Sequence, residues 1–165
     1  MRTALLILAL SALGCGEEEI PQAGVELYMC ADEPCSDRIL ALTNQATSTL
    51  WVAMFTFTHE DIAEGLVAAA GRGVDVSLLV ERSQQHGVLP RLQAAGVKIK
   101  YDGNGSSMHH KFAVVDGAVT ATGSFNWTNN ADRHNDENLV ILHSKSVAAR
   151  YVAEFLRVWD LGSDA

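Results

Sequence analysis

The run Leu50-Trp51-Val52-Ala53-Met54-Phe55-Thr56-Phe57 leaves almost no polar position on either side of an extended chain. Successive side chains on a strand point to opposite faces, so such a segment is stable only when both faces are covered. A second apolar strand is expected at 74–81. Between them, Thr58 with Asp61 three positions later reads as a helix start, and Gly71 and Gly73 end that helix. Trp51, Met54, Phe55 and Phe57 are core residues on this reading.

The remaining chain continues the alternation. A short strand is expected at 25–28. Ser36 reads as the cap of a helix running to about residue 45. Residues 83–95 have a helical pattern weakened by Gly87 and Pro90. A strand follows at 97–101, then a Gly/Ser/Asn loop at 102–107. A strand at 109–115 leads into Asp116-Gly117, a hairpin turn pair, and the chain returns over 118–122. The last strand is expected at 137–142. A C-terminal helix at 144–159 carries Val147, Tyr151, Phe155 and Val158 on one stripe. Strands alternating with helices, then a hairpin, give an α/β fold: a mixed β-sheet flanked by helices, an αβα sandwich. There is no internal repeat.

At 165 residues, with 48% hydrophobic and 19% charged content, the chain is one domain with a full core and is not disordered. Its net charge is −8, which argues against a large basic nucleic-acid footprint but leaves room for a local one. The first residues, Met1-Arg2-Thr3 and then an apolar stretch at 4–13, are too short to span a bilayer and suit a signal peptide over 1–14. Gly14 before Cys15 resembles a bacterial lipobox, in which Cys15 is lipidated and anchors the protein to a membrane. Residues 15–23 then form an acidic tether and 24–162 the folded domain. The alternative is an ordinary cleaved signal with Cys15 incidental. Either way an exported protein of the periplasm or cell envelope is expected. In that setting Cys30 and Cys35 can form a small-loop disulfide, the alternative being two free thiols. Nothing reads as Cys/His zinc spacing.

Chemistry concentrates in His109-His110-Lys111-Phe112-Ala113-Val114-Val115-Asp116 and in Gly123-Ser124-Phe125-Asn126-Trp127. His109 and Lys111 are two positions apart on a strand and leave the same face. That pairs a nucleophile or proton carrier with a fixed positive charge. The second run adds a hydroxyl and an amide. A phosphodiester needs this set: an attacking group, with cationic and hydrogen-bonding partners for its oxygens. His110 points to the opposite face and reads as core or support, with a His-His metal pair as the rival reading.

The spacing His-x-Lys-x4-Asp followed by Gly-Ser-x-Asn resembles the signature of the phospholipase D superfamily, in particular its small single-motif branch of bacterial periplasmic nucleases and cardiolipin-hydrolase-like proteins. The resemblance extends from about Val25 to Asp160. It implies a phosphodiester hydrolase acting through a phosphohistidine on His109, without metal or other cofactor. It implies that Lys111, Ser124 and Asn126 hold phosphate, and that Asp116 acts in a supporting structural or electrostatic role. Glu137 would accept a hydrogen bond from His109 Nδ1 and fix its tautomer. Trp127 and Thr128 would support the loop, and Thr56 and Phe57 would line or support the site. His59, His86, His134 and His143 belong to no constellation and are expected at the surface.

One motif supplies one histidine, whereas the family mechanism uses two. The resemblance therefore implies a homodimer with a composite active site. Phospholipid and nucleic acid are both phosphodiesters; the acidic charge and the lipobox favour phospholipid, whereas the small size and single motif favour the alternative, a non-specific metal-independent endonuclease on DNA or RNA. Two other classes stay open: an inactive phosphate-binding module, and a phosphatidyltransferase using an alcohol in place of water.

Overall fold

The computed structural model describes residues 24–84 and 86–165. The segments expected as signal peptide and tether, with Cys15, lie outside the described residues. The elements are β1 (Val25–Met29), α1 (Cys35–Gln45), β2 (Thr49–Met54), α2 (Glu60–Gly71), β3 (Asp75–Val80), α3 (Leu89–Ala94), β4 (Lys98–Tyr101), β5 (Lys111–Val115), β6 (Val119–Gly123), α4 (Asn129–Arg133), β7 (Asn138–His143), α5 (Lys145–Leu161) and β8 (Ser163–Asp164). They build one mixed eight-stranded sheet in the order β1-β7-β6-β5-β2-β3-β4-β8. β2, β3 and β4 run parallel, and every other pairing is antiparallel.

The apolar run at 50–57 becomes the centre of the sheet because both its faces are covered. Leu50, Val52 and Met54 enter the core beneath α1, α2 and α3. Ala53 and Trp51 enter a second core beneath α5, with Leu79, Phe112 and Val114. There Phe155 stacks on Trp51 at 5.4 Å and on Trp159 at 5.3 Å. The β5–β6 hairpin turns where expected: Asp116 and Gly117 hold φ of 51° and 61°, the left-handed region that an Asp-Gly pair tolerates.

Several expectations are corrected. The helix pattern at 83–95 shrinks to α3, because Pro90 is tolerated only in a first turn and so fixes the start there. Ser36 does not cap α1; it lies inside the helix, and its backbone N–H and hydroxyl both donate to Asp132 at 2.8 Å. The Thr58/Asp61 pattern supplies no side-chain cap to α2, which follows His59. His59 and His86 are buried, not at the surface. His59 lies 3.7 Å from Asp132, and His86 bridges two strand ends. The short α4 and β8 were not anticipated.

Candidate active site

The motif residues other than Asp116 gather at one end of the sheet, where β2 and β3 finish, β5 and β7 begin, and β6 ends. His109 and His110 precede β5 itself, but the ladder continues through them: Phe55 N–H donates to the His110 carbonyl at 2.8 Å. This carries the His109 ring against Phe55, 4.2 Å between centroids. Lys111 Nζ lies 3.1 Å from His109 Nδ1, 3.2 Å from the His109 carbonyl oxygen and 5.0 Å from the centre of the Phe55 ring. Phe55, read from sequence as core, is thus the shared floor of both groups. Its partnership with β5 was the missing signal, and that is non-local.

Gly123 opens the second half of the site. A Cβ there would lie 2.3 Å from the Asn138 carbonyl oxygen, and φ is 151°, so no larger residue fits without moving β7. Ser124 Oγ donates to Glu137 Oε2 and accepts the Asn138 N–H at 3.1 Å. Phe125 and Trp127 are buried on either side of Asn126. Trp127 packs edge-on to Phe57 at 5.1 Å, and its carbonyl accepts the N–H groups of Thr58 and His59. Thr128 caps α4 by accepting the Ala131 N–H. Between these anchors Asn126 Oδ1 is buried with no hydrogen-bond partner among the described residues. A buried amide oxygen left this way is costly unless a group from outside the chain pairs with it.

Glu137 is in the site but not in its expected role. Its carboxylate accepts from Ser124 and, at 2.9 Å, from Asn135 Nδ2, while His109 Nδ1 faces Lys111. Its influence reaches Lys111 as a field. Burial pushes the Lys111 pKa below the ordinary lysine value, and the Glu137 charge opposes that shift. The Cys30–Cys35 disulfide stands behind it, with Cys30 N–H donating to the Glu137 carbonyl at 3.0 Å.

Asp116 is not brought to the site. It lies beyond the far end of β5, about 17 Å from Lys111 at the usual rise per residue. There it accepts hydrogen bonds from Thr47, Ser48 and Thr49 at 2.8 to 3.3 Å. Although burial works the other way, these bonds hold its carboxyl far below the usual range. Its place in the signature is that of a turn residue stapling a neighbouring loop. His110 turns toward α5 and bonds Glu154 at 2.9 Å. Thr56 Oγ1 reaches Gln84 at 3.4 Å, and Phe57 is buried, so both support the wall.

The family model described as the cardiolipin synthase, PLD-like domain matches residues 39–159, which contain every motif residue above. The chain belongs to the phospholipase D-like family. This phospholipase D-like chain is 36% identical over 125 residues to the mitochondrial cardiolipin hydrolase of Xenopus tropicalis, covering 74% of this chain and 60% of that protein. It is 29% identical over 155 residues to a phospholipase D of Rickettsia conorii, 90% of this chain and 78% of that one. It spans less than two thirds of the length of the cardiolipin hydrolases that it matches. Among solved structures, the phospholipase D family member Nuc of Salmonella typhimurium superposes with a TM-score of 0.81 at 26% identity, over 86% of this chain and 97% of Nuc. NucT of Helicobacter pylori gives 0.79 at 19% identity, a likeness of fold.

Proposed function

We propose that this protein hydrolyses phosphodiesters through His109, with the phospholipid head-group bond as substrate. The reading is carried by one observation: an exposed imidazole, an ammonium 3.1 Å from it, and the Ser124–Asn126 loop meet at the same end of the sheet. Lys111 and Asn126 would hold the non-bridging phosphate oxygens as charge develops on them. A ring nitrogen of neutral His109 attacks phosphorus. The P–N bond forms as the bond to the leaving oxygen breaks, and that oxygen takes a proton. Water then attacks phosphorus, gives up its proton, and breaks the P–N bond.

The proton donor and later acceptor would be His109 of a second copy of the chain, in a homodimer with one composite site. The mechanism then asks different work of the two imidazoles: one attacks as the neutral ring and the other delivers the proton. The net charge of −8 and the similarity to cardiolipin hydrolases favour a lipid over a polyanionic nucleic acid.

The test is a paired assay with EDTA present, on cardiolipin or phosphatidylcholine vesicles and on single- and double-stranded nucleic acid. Release of phosphatidic acid product, with labelled phosphate trapped on His109, is expected. Cleavage of nucleic acid alone would assign the other substrate. Undiminished turnover by a folded His109→Ala protein would remove the mechanism. Light scattering at assay concentration should give the mass of a dimer, and specific activity should fall on dilution.

A further inference from the structure

Glu81 directly follows β3 and is 3% exposed. Its Oε2 accepts the Met108 N–H at 2.6 Å, and its Oε1 accepts the Ser83 N–H at 3.0 Å. Its own N–H donates to the Met54 carbonyl at 3.3 Å, at the end of β2. Its carbonyl accepts from His86 Nε2 at 2.8 Å. His86 Nδ1 in turn accepts the Phe57 N–H at 3.2 Å. A ring nitrogen that accepts from an amide carries no proton, so His86 is neutral with its hydrogen on Nε2. Burial pushes its pKa down and favours that state.

One residue therefore grips the two segments that frame His109. Met108 is the residue immediately before it and is itself 2% exposed. Phe55, on which the imidazole lies, sits between Met54 and Phe57, both tied to Glu81 directly or through His86. The loop leading to Met108 is fixed from the same side. Buried Asp102 accepts the N–H groups of Arg82 at 3.0 Å and Asn104 at 2.9 Å. An ionised carboxylate out of water is expensive. Burial here pushes the Glu81 pKa up, yet the bonds from Ser83 and Met108 outweigh it, and the group stays below its ordinary value.

We propose that Glu81, braced by His86, is a positioning residue for His109: it sets the imidazole against Phe55 by holding Met108 on one side and the end of β2 on the other. This rests on the reading of His109 as the attacking group. Glu81 touches no substrate and acts through the backbone.

The test is Glu81→Gln in the full chain, assayed on bis(4-nitrophenyl) phosphate. The amide has the size of the carboxylate but must turn an NH2 toward one of the two N–H donors. A misplacement of about 1 Å costs up to about 100-fold in rate. A fall in kcat of about 10- to 100-fold is therefore expected, with KM changed less than about twofold. The melting temperature should stay far above the assay temperature, and the His109 ring 15N resonances should broaden or shift. Wild-type kcat in folded Glu81→Gln, or a loss that tracks only the folded fraction, would overturn the proposal. Should Glu81→Gln fail to fold, His86→Asn carries the same test, and an unchanged kcat there is equally decisive. His109→Ala run in parallel separates the two readings. An active His109→Ala protein refutes the nucleophile, whereas an inactive one beside a normal Glu81→Gln refutes only the positioning role.

Discussion

Lys111 Nζ and His109 Nδ1 stand 3.1 Å apart, and the same ammonium reaches the His109 carbonyl at 3.2 Å. An ammonium has only donors, so Nδ1 accepts and the neutral ring carries its hydrogen on Nε2. A phosphate oxygen competes for the same ammonium. Substrate arrival would thus draw Lys111 off the imidazole as it draws the imidazole toward phosphorus. Lys111→Ala is expected to lose about 100-fold or more in kcat on a small diester, the scale of a deleted charge-stabilising donor. Lys111→Arg should recover only part of it, because a planar guanidinium does not fit the place of a point charge over Phe55. Steady-state kinetics on both variants check this.

Beside the loss of the protonated imidazole, the alkaline fall in activity is expected to include a limb set by Lys111, read from KM as phosphate binding weakens. Its folded pKa lies below the ordinary lysine value, so the ammonium is lost at lower pH than that of a free lysine. Glu137 supports the charge. In Glu137→Gln the alkaline limb should therefore move to lower pH. A limb that stays in place, or moves up, would contradict the electrostatic link.

Asp116→Asn should act on stability. Asparagine keeps the left-handed turn but not the charge that five donors from 47–49 share. A loss of about 2 kcal/mol is expected, the worth of hydrogen bonds to a charged group. The carboxyl titrates lower folded than unfolded, so its contribution is present above its unfolded pKa of about 3.9 and fades as pH falls through the folded value. Urea unfolding from about pH 7 to about pH 3 should show the variant less acid-sensitive than wild type, with activity following the folded fraction.

Removing the disulfide with Cys30→Ser and Cys35→Ser should lower stability by about 2 kcal/mol, the loop-closure value for so short a ring. The Glu137 carbonyl would lose its fixed partner at Cys30. Urea unfolding with and without reductant measures the first effect, and amide exchange at position 30, compared between wild type and variant, the second.

Gly123→Ala should uncouple β6 from β7 at the site. The new methyl meets a backbone carbonyl, which cannot swing aside as a side chain would. Near-normal kcat in this variant would mean that the loop reassembles without the close approach.

Much of this was legible because it is locally encoded. The apolar run at 50–57, the Asp-Gly turn and the α5 stripe each follow from residues adjacent in sequence or one helical turn apart. The motif residues were legible for the same reason: their spacing is short. What was not legible depends on partners far along the chain. β8 exists only because Ser163 and Asp164 meet Lys100 and Tyr101. His59 and His86 look like surface residues until Asp132, Phe57 and Glu81 are seen around them. Glu81 ends an apolar strand as any solvated acid might, and only the approach of Met108 reveals its use. Asp116 shows the converse: its turn chemistry was plain from Asp-Gly, and its adjacency to the motif suggested a nearness to His109 that five residues of strand prevent.

The two outermost strands are β1 and β8, one near each end of the chain. The first and last described strands are thus separated by the full width of the sheet, about 34 Å at ordinary strand spacing. A circularly permuted version would need a linker of at least about ten extended residues, routed around a helical layer rather than across a short gap. Cutting the Asp116–Gly117 turn to make new termini would leave the reactive groups paired in space. It would also place His109 and Asn126 on opposite ends of the new sequence, so the site would close only after the whole sheet had formed.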